Sequence, residues 1–394
     1  MAGPQVVSRP CMRCKNPDAP YELRNVATCQ ACFIDYVDSK AVKRLTVLQR
    51  ETRTSTKPEP RRYVAGLSFG PCSTALTQIL DKQARYHAAR KGSSPFEPLV
   101  VHIDTDLAHP ADARGSPAQR LLAKYRERFP NVSFECVHLS KVLGLATIDW
   151  TALPVVAAGD DDDDDTRRLQ HLFSSLPSVT SRADCLRLFI RHLLLDVALQ
   201  RSYSALLLGH STTALASLTL CEVANGRGFA VPWQINDGLF TVCTYSGTDA
   251  ASTGEPGDDD AKVQFPIYYP LREILKAEVI TYLSTTPSIQ ALIPPDNASS
   301  SVVSHKDQSI EEVMARYFEG VEGPYAGIAT NVVRTAGKLD RLVASRYCRL
   351  CGITLDEEGD STWAGELGDD HPAEAAAHPD TGKLCYGCKR SLGG

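Results

Sequence analysis

The sequence lacks a long hydrophobic run. Its longest apolar stretches, 193–199 and 205–208, fall far short of the ~18 residues that a membrane-spanning helix needs. The N-terminus also lacks the apolar segment of a secretion signal, because Arg9, Arg13 and Lys15 interrupt it. We therefore expect a cytoplasmic protein with no membrane partner, in a reducing compartment where paired cysteines bind metal rather than form disulfides.

The chain also lacks an excess of positive charge. Its 394 residues include 42 Lys and Arg against 47 Asp and Glu, a net charge of −5 that at face value argues against a nucleic-acid partner. Much of the acid, however, lies in three segments without hydrophobic periodicity, 160–165, 258–260 and 352–384, which we interpret as solvated insertions. Outside them 41 basic residues face 29 acidic ones, so the predicted folded part is basic at +12.

The basic excess is concentrated in one stretch. Eight bases with only two opposing acids lie in 40–62: Lys40, Lys43, Arg44, Arg50, Arg53, Lys57, Arg61 and Arg62. One interpretation is a solvated helix with a linker. The other is a surface that follows nucleic-acid phosphates, because clustered Lys and Arg supply most nucleic-acid affinity.

Eight of the thirteen cysteines form four Cys-x-x-Cys pairs. The pairs Cys11/Cys14 and Cys29/Cys32 are separated by 14 residues, and the pairs Cys348/Cys351 and Cys385/Cys388 by 33 residues. Two such knuckles close a tetrahedron around Zn²⁺, and four thiolates leave no open position. The spacing therefore predicts two structural zinc sites and no catalytic metal.

Two alternatives to this pairing stay open at the level of sequence. The outermost pairs could interleave, with Cys11/Cys14 facing Cys385/Cys388, and a four-cysteine iron–sulfur cluster could replace zinc. The other five cysteines lie in apolar periodic segments and are expected to be small buried residues: Cys72, Cys136, Cys185, Cys221 and Cys243.

The middle of the chain alternates strands with helices, which predicts an α/β fold with a parallel sheet. Apolar runs at 62–67, 99–103, 133–139 and 205–208 are the predicted strands, and 182–202 is a predicted long helix. Small residues follow the first strand at 68–74, where an α/β fold places a phosphate site at a helix N-terminus. The candidate residues of this loop, with the histidine after the fourth strand, are Ser68, Gly70, Ser73, Thr74 and His210.

This arrangement resembles the tRNA 2-thiolation proteins of the PP-loop ATP-pyrophosphatase family over nearly the whole chain. The resemblance implies a PP-loop (adenine nucleotide alpha hydrolase-like) parallel sheet between N- and C-terminal zinc-knuckle modules. It also implies three regions: 1–60 with the first zinc module and a basic helix, 61–290 with the PP-loop domain and acidic insertions, and 291–394 with a helical segment and the second zinc module.

The catalytic elements of the active members are missing from this chain. Those members carry Ser-Gly-Gly-Lys-Asp-Ser after the first strand, whereas Phe69, Pro71 and Cys72 stand here for the glycine, the lysine and the acidic residue. The proline lacks an N–H donor and the cysteine is a poor Mg²⁺ partner, which argues against ATP binding.

The later motifs depart in the same way. Residues 178–181 (SVTS) replace the cysteine pair that precedes the long helix, and Thr212 and Thr213 lie near the positions of the aspartates in a Gly-His-Asn-x-x-Asp-Asp-type motif. No cysteine lies between Glu273 and Cys348, where the third catalytic cysteine is expected. These departures resemble the non-catalytic subunit of the cytoplasmic tRNA thiolation heterodimer.

The resemblance implies a function shared with a partner. The partner subunit would adenylate the wobble uridine of tRNAs for Lys, Glu and Gln (mcm5s2U formation) and take sulfur from a thiocarboxylated ubiquitin-like carrier. This chain would not be an enzyme by itself. It would bind tRNA through the bases already named except Lys57, together with Lys389 and Arg390 beside the last zinc ligand.

Two other functions remain open from the sequence. One is an active ATP-dependent thiolase with a divergent loop, in which Cys72 or Cys185 carries sulfur. The other is a zinc-ribbon interaction protein that has no part in tRNA modification.

Overall fold

The fold is organised around one six-stranded sheet. The computed structural model describes residues 9–53, 59–92, 94–110, 115–153, 164–245, 261–295, 308–341, 345–355 and 383–393. The described strands are β1 (Tyr21–Leu23), β2 (Val26–Thr28), β3 (Arg61–Leu67), β4 (Phe96–Asp104), β5 (Ser133–His138), β6 (Ala205–Leu207), β7 (Gly238–Thr244) and β8 (Ala261–Tyr268). Strands β1 and β2 form a separate antiparallel hairpin.

Helices cover both faces of the sheet. The described α-helices are α1 (Gln30–Glu51), α2 (Pro71–Ala88), α3 (Pro117–Arg128), α4 (Asp165–Ser175), α5 (Val179–Gln200), α6 (Thr212–Ala224), α7 (Val231–Ile235), α8 (Lys276–Ser284), α9 (Pro287–Gln290), α10 (Ile310–Glu322), α11 (Gly327–Ala336) and α12 (Tyr386–Gly393). Among these residues no helix is both long and apolar enough to cross a lipid bilayer.

The strand order is β5-β4-β3-β6-β8-β7, and every neighbouring pair is parallel except β7 with β8. From β3 the chain first adds β4 and β5 on one side and then returns to place β6 on the other side. Open α/β sheets bind ligands at such a switch point, beyond the carboxyl ends of the strands. Here that position is shared by the loops that follow β3 and β6.

Alternating side chains of the central strands build two cores. Val64 and Leu206 belong to the core on the side of α5, α6, α10 and α11. Ala65 and Leu207 belong to the core on the side of α1, α2, α3 and α8. This period of two is what a strand buried on both faces requires.

The predicted α/β fold is confirmed, including all four predicted strands and the long helix, which begins at Val179 because Ser178 caps it. The sheet is wider than predicted. Strand β8 and the edge strand β7 were not among the predicted strands, and β7 runs antiparallel to β8. In the chain β8 follows β7 after residues 246–260. Because the two strands are antiparallel, they can be connected without a crossover helix.

Much of the predicted acidic insertions lies outside the described residues, namely 160–163, 258–260 and 356–382, as does Lys57. The last two residues of the first acidic run are described. Asp164 is the N-cap residue of α4 and Asp165 is its first residue, where the helix dipole favours negative charge. This part of the run therefore belongs to a helix start rather than to a solvated insertion.

Candidate functional site

The first predicted zinc site is assembled around the β1–β2 hairpin. The knuckle Cys11–Cys14 precedes the hairpin, and Cys29 and Cys32 lie at the start of α1. All four Sγ atoms lie within 4.8 Å of one another, and the Sγ atoms of Cys14 and Cys29 are 3.5 Å apart. A tetrahedral Zn²⁺ with Zn–S bonds of about 2.3 Å requires sulfur separations of about 3.8 Å. The four thiols therefore fit such an ion.

The backbone of this site favours thiolate. Hydrogen bonds from the backbone of Cys14 and Cys29 lower the pKa of Cys11 to about 6. A thiolate is the form that binds metal, so the knuckle turn prepares Cys11 as a ligand. Cys14 is exposed and Cys32 half-buried, which places this site near the protein surface.

The second predicted site is fully buried. Its first knuckle, Cys348–Cys351, is closed by an antiparallel bridge between Tyr347 and Thr354, and its second knuckle enters α12. The Sγ atoms of Cys351 and Cys385 are 3.9 Å apart, and those of all four cysteines, including Cys388, lie within 4.8 Å. Each centre is thus complete in itself, which excludes the interleaved pairing.

A hydrogen-bonded network supports one thiolate of the second centre, that of Cys348. Burial disfavours charge on Cys348, but hydrogen bonds from Cys351, Cys385 and Cys388 hold its pKa well below the usual value. The backbone N–H of Cys385 also donates to Cys348 Sγ at 3.3 Å. Four soft sulfur donors in a closed buried set suit a structural metal such as zinc.

A buried charge cluster, Asp184, Glu222 and Arg227, lies beneath the second centre. The guanidinium of Arg227 is completely buried, with Nη1 2.9 Å from Asp184 Oδ2 and Nε 2.9 Å from Glu222 Oε2. The same Nη1 lies 4.0 Å from Cys388 Sγ. Burial disfavours this charge, but Glu222 and Asp184 hold the pKa of Arg227 well above its usual value. The cluster therefore places a fixed positive charge beside a metal thiolate, where such groups orient and tune ligands.

The last knuckle fits closely over this cluster. A Cβ on Gly387 would lie 2.5 Å from Arg227 Cγ and 2.6 Å from the carbonyl oxygen of Asn225, so only glycine allows the approach. Ser391 donates a 2.7 Å hydrogen bond to Asp184 from the next turn of α12. The sequence analysis missed this cluster, although a Gly between two metal ligands is a signal of close backbone approach.

The loop after β3, at the switch point, places its aromatic side chain in the core. Phe69 has a left-handed φ of +60°, and its ring is buried against His102 and Tyr125 at centroid distances of 4.1 and 5.2 Å. A left-handed backbone conformation is strained for a bulky side chain but not for glycine. Glycine is the residue that the active members of the resembling family carry at this position. The loop thus has left-handed backbone at this position while the aromatic ring packs in the core.

The polar residues of the loop are brought together, as predicted, but they bond to one another. The hydroxyls of Ser68 and Ser73 are 3.1 Å apart, and Ser73 also donates to the carbonyl of Gly70. Thr74 bonds to the carbonyl of Gly70 and to the hydroxyl of Tyr125 at 2.7 Å. These bonds and the missing N–H of Pro71 fit a triphosphate poorly.

The threonines that follow β6 form hydrogen bonds with other elements of the fold. Thr212 donates to the carbonyl of Arg272 at 2.7 Å, and Thr213 donates to Glu322 at 2.8 Å. Gly209 approaches the first loop so closely that a Cβ would lie 3.0 Å from Ser73 Cα. The side chain of His210 lines a neighbouring cavity, and its ring packs against that of Tyr269 in a T-shaped arrangement.

The candidate sulfur carriers are poorly suited to that chemistry. Cys185 is buried on α5, and burial raises its pKa to about 12. Burial also raises the pKa of Cys72 above its ordinary value. A reactive cysteine needs a depressed pKa and access to solvent. Cys221 and Cys243 are buried, as predicted, whereas Cys136 is half-buried.

Several of the bases predicted to contact tRNA have partners within the chain. Lys40 lies 2.7 Å from Glu273, and Arg44 pairs with Asp237, so both help to hold α1 against the sheet domain.

Both bases at the start of β3 also have partners. Arg61 donates to Gln49 at 3.1 Å and to the carbonyl of Ser94 at 2.9 Å. Arg62 lies 3.8 Å from Glu97 and stacks over Tyr203.

The remaining predicted bases lie nearer to solvent. Lys43 and Arg50 are exposed and seven residues apart, which puts them on one face of α1. Arg53 is exposed just beyond that helix. On α12, Lys389 is half-buried and the exposed Arg390 donates to the carbonyl of Ala224 at 3.0 Å.

Comparisons with known proteins agree with this geometry. A family model described as cytoplasmic tRNA 2-thiolation protein 2 matches residues 309–390. The protein of that name from Sclerotinia sclerotiorum is 35% identical over 337 residues, covering 84% of this chain and 83% of the relative. Its counterpart from Phaeosphaeria nodorum is 33% identical over 393 residues, covering 97% and 94%. The word cytoplasmic in both names agrees with the location expected from the sequence.

A solved structure shares the fold. The U34-tRNA thiolase NcsA from Methanococcus maripaludis, determined with its 4Fe-4S cluster, aligns with a TM-score of 0.52. The alignment covers 91% of this chain and 96% of that one at 14% identity. This similarity confirms the predicted PP-loop thiolase fold.

Proposed function

The chain belongs to the cytoplasmic tRNA 2-thiolation protein 2 family, and we propose that it is the non-catalytic subunit of a heterodimer that thiolates the wobble uridine of tRNAs for Lys, Glu and Gln. A catalytic partner would activate the uridine and take sulfur from a thiocarboxylated ubiquitin-like carrier. This chain would bind tRNA and support that partner in the cytoplasm.

The packing of Phe69 is the observation that carries the non-catalytic role. Its ring is buried between His102 and Tyr125 on the β4 side of the loop, so a nucleotide that used this space would have to displace an aromatic side chain from the core. Removing such a ring from its packing costs roughly 3–5 kcal/mol. The loop supplies no compensating lysine or Mg²⁺ ligand.

The exposed face of α1 is the proposed tRNA contact. Lys43 and Arg50 lie on one face, and the half-buried side chains of Lys40 and Arg44 anchor the same helix to Glu273 and Asp237. A helix held in place by some of its bases can present the others to a phosphate backbone. The first metal centre fixes the start of this helix, and we propose that both centres bind zinc.

Measurement of ATP–pyrophosphate exchange tests the non-catalytic role. The zinc-loaded chain, purified alone and mixed with tRNA, should show no exchange above the background of a sample without protein. Robust exchange by the isolated chain would instead establish the active-thiolase alternative.

Filter binding at several salt concentrations tests the tRNA contact. Replacement of Lys43 and Arg50 by Gln should weaken tRNA binding and reduce the slope of log K against log salt by about 1 for each lost phosphate contact. Lys338→Gln, an exposed base beyond α11, is the matched control and should leave the slope unchanged. Wild-type affinity that does not respond to salt would contradict the proposal and favour a zinc-ribbon interaction protein.

A further inference from the structure

A cavity of about 500 Å³ lies between α5, α6 and α10, and we call it the α5 cavity. Leu186, Ile190 and Leu194 of α5 and Leu218 of α6 form apolar walls. It lies on the face of the sheet opposite to the core that receives the ring of Phe69. The cavity is therefore distinct from the space that Phe69 occupies, and of the candidate nucleotide residues only His210 lines it within the described part of the chain.

Buried polar atoms without partners belong to side chains that line this cavity. Within the described residues, hydrogen-bond partners are lacking for Nε of Arg187, Nε and Nη2 of Arg191, Nδ1 of His210 and Nε2 of Gln234, and all four residues line the cavity. Arg191 is 8% exposed and Gln234 is 1% exposed. Buried polar groups in folded proteins are nearly always paired, so a cluster of unpaired ones indicates a missing partner molecule.

The unpaired atoms are mainly donors. A guanidinium only donates, and the oxygen of Gln234 already accepts from Arg191, which leaves the amide NH₂ to donate. Burial, reinforced by Arg187 and Arg191, lowers the pKa of His210 to about 4, so its ring is neutral and can donate from one nitrogen. Oxygen atoms that accept hydrogen bonds would satisfy this set.

The charges around the cavity also favour an anionic ligand. Arg187 is paired with Asp184 and Glu222, but Arg191 has no carboxylate at ion-pair distance among the described residues. From α10, Glu311 and Glu312 also line the cavity, and a carboxylate oxygen of Glu312 is held by the backbone and hydroxyl of Ser309. Arg191 Cζ lies 4.3 Å from the centre of the Phe240 ring, a cation–π contact that offsets part of the cost of its buried charge, and a bound anion would offset more.

We propose that the α5 cavity binds a small organic oxyanion, with Arg191 and Gln234 holding its charged oxygens and the leucine and isoleucine side chains packing on its apolar body. The shared chemistry is a carboxylate or a phosphate ester. This site goes beyond the proposed tRNA function and does not depend on it.

Calorimetry and thermal unfolding of the zinc-loaded full chain test the site with four probes. Benzoate and phenyl phosphate carry the two oxyanions on one ring, benzyl alcohol is the neutral match, and inorganic phosphate lacks the apolar body. We expect one or both aromatic anions to bind at least tenfold more tightly than benzyl alcohol and inorganic phosphate. The stronger of the two identifies the oxyanion as carboxylate or phosphate.

Variants on α5 separate the site from general charge effects. Arg191→Met should weaken the binding of the preferred anion at least tenfold, whereas Arg182→Met, an exposed arginine of the same helix, should not change it. Gln234→Glu gives Arg191 a counter-charge of nearly the same shape, so this variant should stay folded and lose anion binding. Equal binding of benzyl alcohol and both aromatic anions, or unchanged anion binding by Gln234→Glu, would overturn the proposal.

Discussion

The guanidinium of Arg227 lies 2.9 Å from the carboxylate of Asp184, and the two side chains are 0% and 1% exposed. The pair joins the loop after α6 to α5, and α12 reaches it through Ser391 and Cys388. One buried ion pair thus connects the sheet domain to the second metal centre.

Breaking this pair should be strongly destabilising. Arg227→Met leaves the buried carboxylates of Asp184 and Glu222 with Arg187 as their remaining counter-charge, and removing one partner from a buried ionic cluster costs roughly 3–5 kcal/mol. Urea unfolding measures the difference. Arg201→Met is the control, because the Arg201–Glu135 pair is half exposed and should contribute less than about 1 kcal/mol. Equal effects of the two variants would show that the buried cluster does not stabilise the fold.

The chain should bind two zinc ions. Elemental analysis of the full chain is expected to give two zinc atoms per molecule, and Cys14→Ser and Cys348→Ser should each remove one. Because Cys348 is buried and Cys14 is exposed, the loss of stability should be larger for Cys348→Ser. Iron with equimolar sulfide in place of zinc would contradict the zinc assignment.

Substitutions at Phe69 should show the left-handed backbone directly. Both Phe69→Ala and Phe69→Gly lose the packing against His102 and Tyr125, and each should cost roughly 2–5 kcal/mol. At a φ of +60°, however, glycine is not strained and alanine is, so Phe69→Gly should be the more stable variant by about 1 kcal/mol. Thermal or urea unfolding decides this, and a more stable alanine variant would contradict the assigned conformation.

Stability should fall as the pH decreases from about 6.5 to about 4. Burial and two neighbouring guanidiniums lower the folded-state pKa of His210 to about 4, against about 6.5 when unfolded. Within that window the unfolded state binds more protons, so acid favours unfolding by up to about 1.4 kcal/mol per pH unit for one histidine. His210→Phe keeps an aromatic ring beside Tyr269 and should flatten this dependence.

Urea unfolding between pH 4 and 7, in buffers without carboxylate or phosphate, measures the effect. The difference between His210→Phe and wild type isolates His210, because acid release of zinc affects both chains. His192, whose pKa burial also lowers to about 4, should maintain a remaining slope in the variant. Identical pH dependence of the two chains would contradict a neutral buried His210.

Local patterns predicted most of this molecule. The Cys-x-x-Cys pairs and the strand at 62–67 are recognisable because their signals lie within a few residues. Arg227 was not recognised, since its partner Asp184 is 43 positions away and Ser391, which also bonds to Asp184, is 164 positions away from Arg227. No local pattern marks such a pairing. Phe69 was recognised as a departure from the family, but its packing on His102 depends on the parallel register of β3 and β4.

The α5 cavity could not be predicted from the sequence either. In the sequence Arg191 is an ordinary cation within an apolar helix. Only the fold shows that Gln234 bonds to it and that no carboxylate of the described residues lies at ion-pair distance. A charge without a partner can be recognised only when all neighbouring elements are placed.

Helix α12 carries the metal ligand Cys388, directly follows the ligand Cys385, and also supplies Ser391 to the charge cluster inside the sheet domain. Metal supply would therefore govern the amount of this protein as well as its metal content. A chain made when zinc is scarce would leave Asp184 without one of its partners and expose the surface that α12 covers. Proteases act on such partly folded chains, so cellular abundance should follow zinc availability.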